Sequence, residues 1–455
     1  MRTFTRSILM TVALLLGMAA HAQWVAYQFI SRSTDGTQVG GGGRAQVTPN
    51  GRFVVYVSTA TQLVTPFTSG WQVFLFDRWK NTTELISQND AGQFGDGTSD
   101  LPSISDDGCR VVFHSYASNL AVGAIGGTGH VYLRERCTSP ARTRMVSTTA
   151  AGAVGNASSG PPRISGNGRY AAFHTYANNI VAYTGGCCSI ERVVRKDLDS
   201  GAVTVVSLNP DATLGSGWHP DISRDGSRIV FSSSDGNLNR PGGKTAWDHF
   251  LWDAATPASL TKVSTGSAGE EQIYNPPAVI YSGQVHQPAI SADGRFVAFS
   301  TDSGTLTSLG GNGKHQVYVK DTVSGSLTLA SVASNGALGD DSSNLLLRPQ
   351  MSSNGHVVAF FSYANNLIAS TAFIKPLLHD WTKGVTTLIA DVAYPSTSYS
   401  IGLSPDPKGR YAVMDFGQTT LDPAFPSKLG VYLADFYPLL PAVTDITPIL
   451  TLLLD

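Results

Sequence analysis

Seven polar residues occupy matching places beside short, proline-marked segments: Arg163, His219, His286 with Gln287, Arg348 and, one pleat further in, Asp221 and Gln350. Two histidines, two arginines, a carboxylate and amides that converge on one axis can bind an anionic sugar, a carboxylate or a metal ion. The same residues can instead be ordinary channel-wetting groups that hold water. Which reading applies depends on the elements that carry them.

Other groups have chemical capacity too. His130, His249 and His315 each open a β-type segment, where a recurring imidazole suits a loop-pinning hydrogen bond better than a ligand role. In the stretch 266–284, Glu270 and Glu271 stand near Tyr274 and Tyr281. Carboxylates beside aromatic faces can stack on and hydrogen-bond a glycan, although a decorative insertion has the same composition. The asparagines of YASN at 116–119 and of YANN at 176–179 and 363–366 are expected to hold a turn through their own backbone. No G-x-S-x-G nucleophile elbow, phosphate-cradling Gly-Lys-Ser/Thr loop, H-E-x-x-H metal helix or sialidase-type S-x-D-x-G-x-T-W box is present.

The elements that must position these groups are copies of one unit. In PAISADGRFVAFS at 288–300, a short strand meets a tight reversal at Asp293-Gly294 and a second strand follows. Phe296 and Ala298 point one way and Val297 and Phe299 the other, so the sheet must be covered on both faces. Copies begin at Pro102, Pro162, Pro220 and Pro349, with weaker ones at Val47 and Leu403. The turn glycines Gly51, Gly108, Gly168, Gly226, Gly294, Gly355 and Gly409 are separated by 57, 60, 58, 68, 61 and 54 positions, a repeat architecture with a period of about 60.

Full units run over 44–87, 99–148, 160–208, 218–265, 285–332 and 346–390. The segment 24–32, WVAYQFISR, looks like a fourth strand with no unit before it, and 400–436 supplies three strands with no fourth. If the two complete each other, no sheet edge is left open. The predicted fold is therefore all-β, a seven-bladed β-propeller of four-stranded antiparallel blades closed by the N-terminal strand pairing into the last blade. In such a ring the Asp-Gly turns share one face with the short turns after the third strands. The inter-blade linkers and the long second-to-third-strand loops share the other, and function favours those loops.

The repeat, with its VYVKD-x-x-S-G continuation at 317–325, resembles that of TolB-like propellers, also called WD-repeat-like or PD40-type, found in exported bacterial proteins. The likeness covers about 410 residues and implies a fold without implying an activity. TolB itself carries an α/β domain before its propeller, for which the residues ahead of the first unit leave no room, so a role in the Tol machinery is not carried over.

Residues 1–22 read as a signal peptide: Arg2 and Arg6, an apolar run, and Ala20-His21-Ala22 before the cleavage point. A secreted or periplasmic location follows, where disulfides form. Cys109 begins a second strand and Cys137 ends the neighbouring third, positions that face each other in an antiparallel pair. Bridges are expected between Cys109 and Cys137 and between adjacent Cys187 and Cys188, the second as a strained ring whose alternative is two free thiols. The propeller is expected over 23–438, followed by an apolar tail at 439–455 too short to span a membrane.

A charged fraction of 14% and a formal net charge of -2 give no basic field for nucleic acid. The expectation is a monomeric, exported, non-enzymatic scaffold that binds a protein or a cell-envelope polysaccharide ligand on its long-loop face, with no transmembrane anchor and no cofactor identified. The alternative is a polysaccharide-active lyase or hydrolase with its site at the channel mouth.

Overall fold

The computed structural model describes residues 25–436 apart from 66–67, 182–189, 210–212, 236–237, 239–246, 273–286, 308–312, 345–347, 392–399, 420 and 426–427. The expected leader and apolar tail, His286, Tyr274, Tyr281 and the Cys187–Cys188 pair lie outside the described residues.

Seven four-stranded antiparallel sheets make up the described residues, and no helix among them is long and apolar enough to cross a membrane. Six sheets follow chain order from the innermost strand outward. The seventh is composite. Ala26–Phe29 pairs with Lys428–Asp435, running Ala26 opposite Asp435 to Phe29 opposite Tyr432, and the inner strands Tyr411–Thr419 and Ile401–Leu403 follow. The first and last parts of the chain are thus stitched into one blade.

Packing follows from the doubly apolar strands. Phe296–Thr301 is buried along its whole length. Phe296 and Ala298 join Val358 and Phe360 in the core between blades 5 and 6, while Val297 and Phe299 join Val230 and Leu251 in the core between blades 4 and 5. Each such side chain contributes about 1.5–3 kcal/mol on burial, and each blade supplies both of its neighbours.

The Ser-x-Asp/Asn-Gly signature is a hydrogen-bonded clip. The buried Ser291 hydroxyl donates to Asp293 and accepts the backbone N–H of Phe296 at 2.9 Å. Ser105, Ser165, Ser223 and Ser352 repeat this arrangement, with Thr48 in blade 1. Glycine closes the turn for two reasons. Gly355 has φ +72°, and a Cβ there would come within 2.5 Å of the Phe296 ring in the preceding blade.

After the turn, an arginine pairs with the aspartate ending the third strand, as in Arg52–Asp77, Arg169–Asp197, Arg295–Asp321 and Arg410–Asp435. In blade 2 Cys109 replaces that arginine and is bonded to Cys137. A covalent bridge stands where four sister blades use an ion pair.

The turns also bond to each other around the axis. Asp106 N–H donates to Gly166 O, Asn167 to Arg224, Arg224 to Ala292, Ala292 to Ser353 and Ser353 to Asp406, all at 2.9–3.0 Å. The corresponding residues flanking the remaining two junctions are Pro49 and Pro405, which have no N–H to give.

Closure depends on Phe29, which is fully buried against Phe425 and Tyr432 at 5.2 and 5.0 Å, with its N–H donated to Asp422. Phe29→Ala should cost about 3–5 kcal/mol, read as a lower urea midpoint. A loss under about 1 kcal/mol would show that this strand does not hold the ring shut.

Candidate functional site

The innermost strands Gly42–Val47, Ser99–Ile104, Arg163–Ile164, Trp218–Ile222, Ala289–Ile290, Gln350–Met351 and Ile401–Leu403 line the axial channel. The Ser or Thr clip follows each of them at the turn side. Equivalent positions form rings. Arg163 shares its ring with Gln46, Ser103, Asp221, Ala289, Gln350 and Gly402. It therefore stands one pleat inside the channel with Asp221, and not at the mouth beside His219, Gln287 and Arg348 as its sequence context suggested. Its place follows from the repeat itself, since Arg163 comes two residues before the clip serine Ser165, as Asp221 and Gln350 do before Ser223 and Ser352.

Arg348 draws the predicted residues together. Its side chain is 6% exposed, and Nη1 lies 3.0 Å from Asp221 Oδ1. Nη2 donates to the backbone oxygens of His219 and Pro220 at 3.1 Å each, and Nε donates to Gln287 Oε1 at 3.4 Å. One guanidinium thus fastens blades 4, 5 and 6 across the mouth. Arg163 Nε lies 3.7 Å from the same Asp221 oxygen, whose partner Oδ2 accepts the Ile290 N–H at 3.0 Å. Burial is the main force lowering the pKa of Arg348, followed by repulsion from Arg163, with Asp221 opposing both.

His219 sits in a bulge of its strand at φ +50°, a left-handed conformation uncommon for a non-glycine residue. Arg44 at +52° and Leu101 at +53° repeat the bulge in blades 1 and 2. Arg44 pairs with Asp100, and its N–H donates to Ser400, whose hydroxyl and N–H both reach Asp415. Sequence reasoning missed this second polar group, because Arg44 lies in a run of glycines and Asp415 deep in an apolar strand.

The sequence also underrated His114 and His174, which follow Phe in VVFHSY and AAFHTY at the same strand position. His174 meets His219 edge-on at 5.9 Å and lies 3.8 Å from Glu191, while His114 contacts Tyr116 at 4.8 Å. Gly129 and Gly160 leave room for these rings, since a Cβ would come within 2.3 and 1.8 Å of their Nε2 atoms. Burial, reinforced by neighbouring imidazoles, lowers His114 to about 4 and His174 to about 3. Burial and the cations Arg348 and Arg163 lower His219 to about 4. All three are neutral at pH 7. Glu191 is raised by its own burial, against a hydrogen bond from Tyr176.

Three further expectations change. His130, His249 and His315 are not at equivalent positions: His130 is the first residue of its strand, His249 the second, and His315 precedes its strand. His130 and His249 do share hydrogen bonds with the hydroxyls of Ser147 and Ser232. Asn119, Asn179 and Asn366 bond the linker backbone some twenty residues earlier instead of their own turn: Asn119 Oδ1 accepts from Asp96 N–H and its amide donates to Phe94 O. Glu270 and Glu271 belong to the ordinary linker turn and not to the extra residues. Glu271 bridges Thr265 as Phe94 bridges Gln88, and its carboxylate pairs with Lys262.

The channel cavity measures about 120 Å³, and the Arg224–Asp106 pair at 2.6 Å lines it beside the Ser-clip turns. Among the described residues no group of three His, Cys, Asp or Glu side chains is placed to hold a metal ion.

Among solved structures, TolB from Acinetobacter baumannii is similar at 16% identity and TM-score 0.37, covering 67% of this chain and 62% of that one. A protein described as TolB from Agrobacterium tumefaciens is similar at 14% identity and TM-score 0.39, covering 70% and 87%. The chain thus spans less than two thirds of the first structure's length. No family model and no curated protein matches the sequence.

The buried histidines make stability pH-dependent. Their folded pKa values lie below the unfolded value near 6.5, so the unfolded chain binds more protons between about 6.5 and 4. Stability is present in full above about pH 6.5 and falls as pH drops toward the folded values. The melting temperature should fall by several degrees between pH 7 and 4.5, with a shallower slope in a His114→Gln/His174→Gln variant. Equal slopes by calorimetry would show that these two rings do not carry the effect.

Proposed function

We propose that the protein is an exported binding scaffold whose long-loop face docks a protein or a cell-envelope polysaccharide. The observation that carries this reading is the uneven distribution of exposed large apolar side chains. Among the described residues, Trp71, Tyr116, Val122, Ile125, Tyr176, Ile190, Phe373 and Leu429 lie at the long-loop ends of the blades, against Trp79, Val323 and Val385 at the short-turn ends. Val122 is fully exposed and Phe373 78% exposed. Exposed apolar side chains gathered on one face suit a binding surface, and Tyr and Trp are the side chains that most often dominate one.

The channel dimensions point the same way. A cavity of about 120 Å³ is well below the ~300 Å³ of small-molecule sites, and Arg348 spends its donors on the protein's own carbonyls and side chains. Recognition therefore belongs to the rim of the mouth and its loops. The export part of the reading rests on the leader-like residues 1–22.

A test combines two probes with the purified mature chain. Binding to isolated peptidoglycan and to a glycan panel should weaken at least tenfold in a Tyr116→Ala/Tyr176→Ala variant, about the loss of one interface hot spot, with melting temperature little changed. A photo-crosslinker at Val122 in the exporting cell should yield discrete adducts where one at Val323 does not. Equal labelling from both faces would refute the docking face, and glycan cleavage products would replace binding with the lyase or hydrolase reading.

A further inference from the structure

We infer that the loops between the second and third strands of blades 6, 1, 2 and 3 seat the protein on a zwitterionic lipid surface, with their apolar tips in the boundary between headgroups and acyl chains. This goes beyond the docking proposed above and turns on side chains other than Tyr116 and Tyr176.

Charge divides these loops into two sets. The stretches 59–71, 116–129, 176–190 and 363–374, each between a second and a third strand, contain no Asp, Glu, Lys or Arg. With 14% of the chain charged, stretches of this combined length would ordinarily hold several. The corresponding stretches of blades 4 and 5 do hold them: Asp235, Arg240 and Lys244 in one, Asp302 and Lys314 in the other. Exposure follows the same division. Among the described residues, the exposed large apolar side chains of the long-loop face all come from blades 6, 7, 1, 2 and 3, which are consecutive around the ring. Absence of charge and exposure of apolar surface thus coincide on one arc.

A fluid lipid surface fits this arc better than a folded partner does. Val122 and Ile125 stand on the blade 2 loop and Phe373 on that of blade 6, with blades 7 and 1 between them. Lipid accepts such separated side chains one at a time, whereas a protein interface gathers its anchors in a packed core with a polar rim, enriched in Arg. These loops contain no Arg. In blade 2, Tyr116 adjoins its strand while Val122 and Ile125 lie mid-loop, the order of a membrane boundary, where Tyr and Trp sit at headgroup level. Irregular backbone cannot enter the hydrocarbon interior without water for its peptide groups, so only the tips go in. Two carboxylates at the loop roots set the lipid preference: Asp96 accepts the Ser118 N–H at 2.6 Å and Asp340 the Asn365 N–H at 2.8 Å. With no cation in the loops to offset them, an anionic surface gains nothing.

The test is flotation of the purified mature chain with lipid vesicles. On phosphatidylcholine it should float with a partition constant of about 10⁴ M⁻¹, the strength of a single acyl chain, and to the same extent in low and high salt. Adding phosphatidylglycerol should not strengthen it. Val122→Asp/Phe373→Asp should lower the partition constant by about tenfold or more at an unchanged melting temperature, because both side chains are exposed. Val323→Asp on the opposite face should change nothing. Failure to float on phosphatidylcholine, binding that requires phosphatidylglycerol and is lost in salt, or equal flotation of V122D/F373D overturns the inference. Glycan binding by the Tyr116→Ala/Tyr176→Ala variant is measured without vesicles, so either reading can fail alone.

Discussion

No blade of this protein can exist by itself, because its central strands are apolar on both faces. Val297 and Phe299 need blade 4, and Phe296 and Ala298 need blade 6. Each sheet therefore lends half its core to each neighbour, and the arrangement is satisfied only when the last blade meets the first. The pairing of Ala26–Phe29 with Lys428–Asp435 is the step that makes this possible. Everything at the axis, including the convergence of arginines from separate blades, exists because that ring is complete.

Much of the fold was legible from sequence for a simple reason: a repeat states the same constraint several times over. The S-x-Asp/Asn-Gly turn, the doubly apolar second strand and the unmatched terminal strands together determined blade number, strand order and closure, and the repeat likeness to TolB-like propellers agrees with that architecture. The Cys109–Cys137 bond was legible because one cysteine begins the second strand and the other follows the end of the third; the register sets Cys109 opposite Arg136, one residue from its partner.

The site was less legible, for reasons of geometry. A repeat tells which positions face the channel, but only counting back from the clip serine tells how deep: Arg163 lies two residues before Ser165, level with Asp221 and Gln350, while His219, Gln287 and Arg348 lie four before theirs. The role of Arg348 as a brace is set by backbone carbonyls of His219 and Pro220, more than a hundred residues away. Arg44 and Asp415 gave no signal because bulges, which turn a side chain out of its expected direction, leave little trace in composition. His114 and His174 did leave one, in the recurrence of Phe-His at the same strand position.

The broken circle of turn-to-turn hydrogen bonds gives the molecule a direction. Five junctions carry this bond between backbone groups, and at Pro49 and Pro405, where it cannot form, side chains take over: Arg78 reaches Gln28 on one border of blade 1 and Arg136 reaches Glu84 on the other. On the turn side, blade 1 is thus the stave fastened by long polar side chains where the others are also laced by the chain itself. Its two seams lean on contacts that ionic strength and single substitutions can slacken.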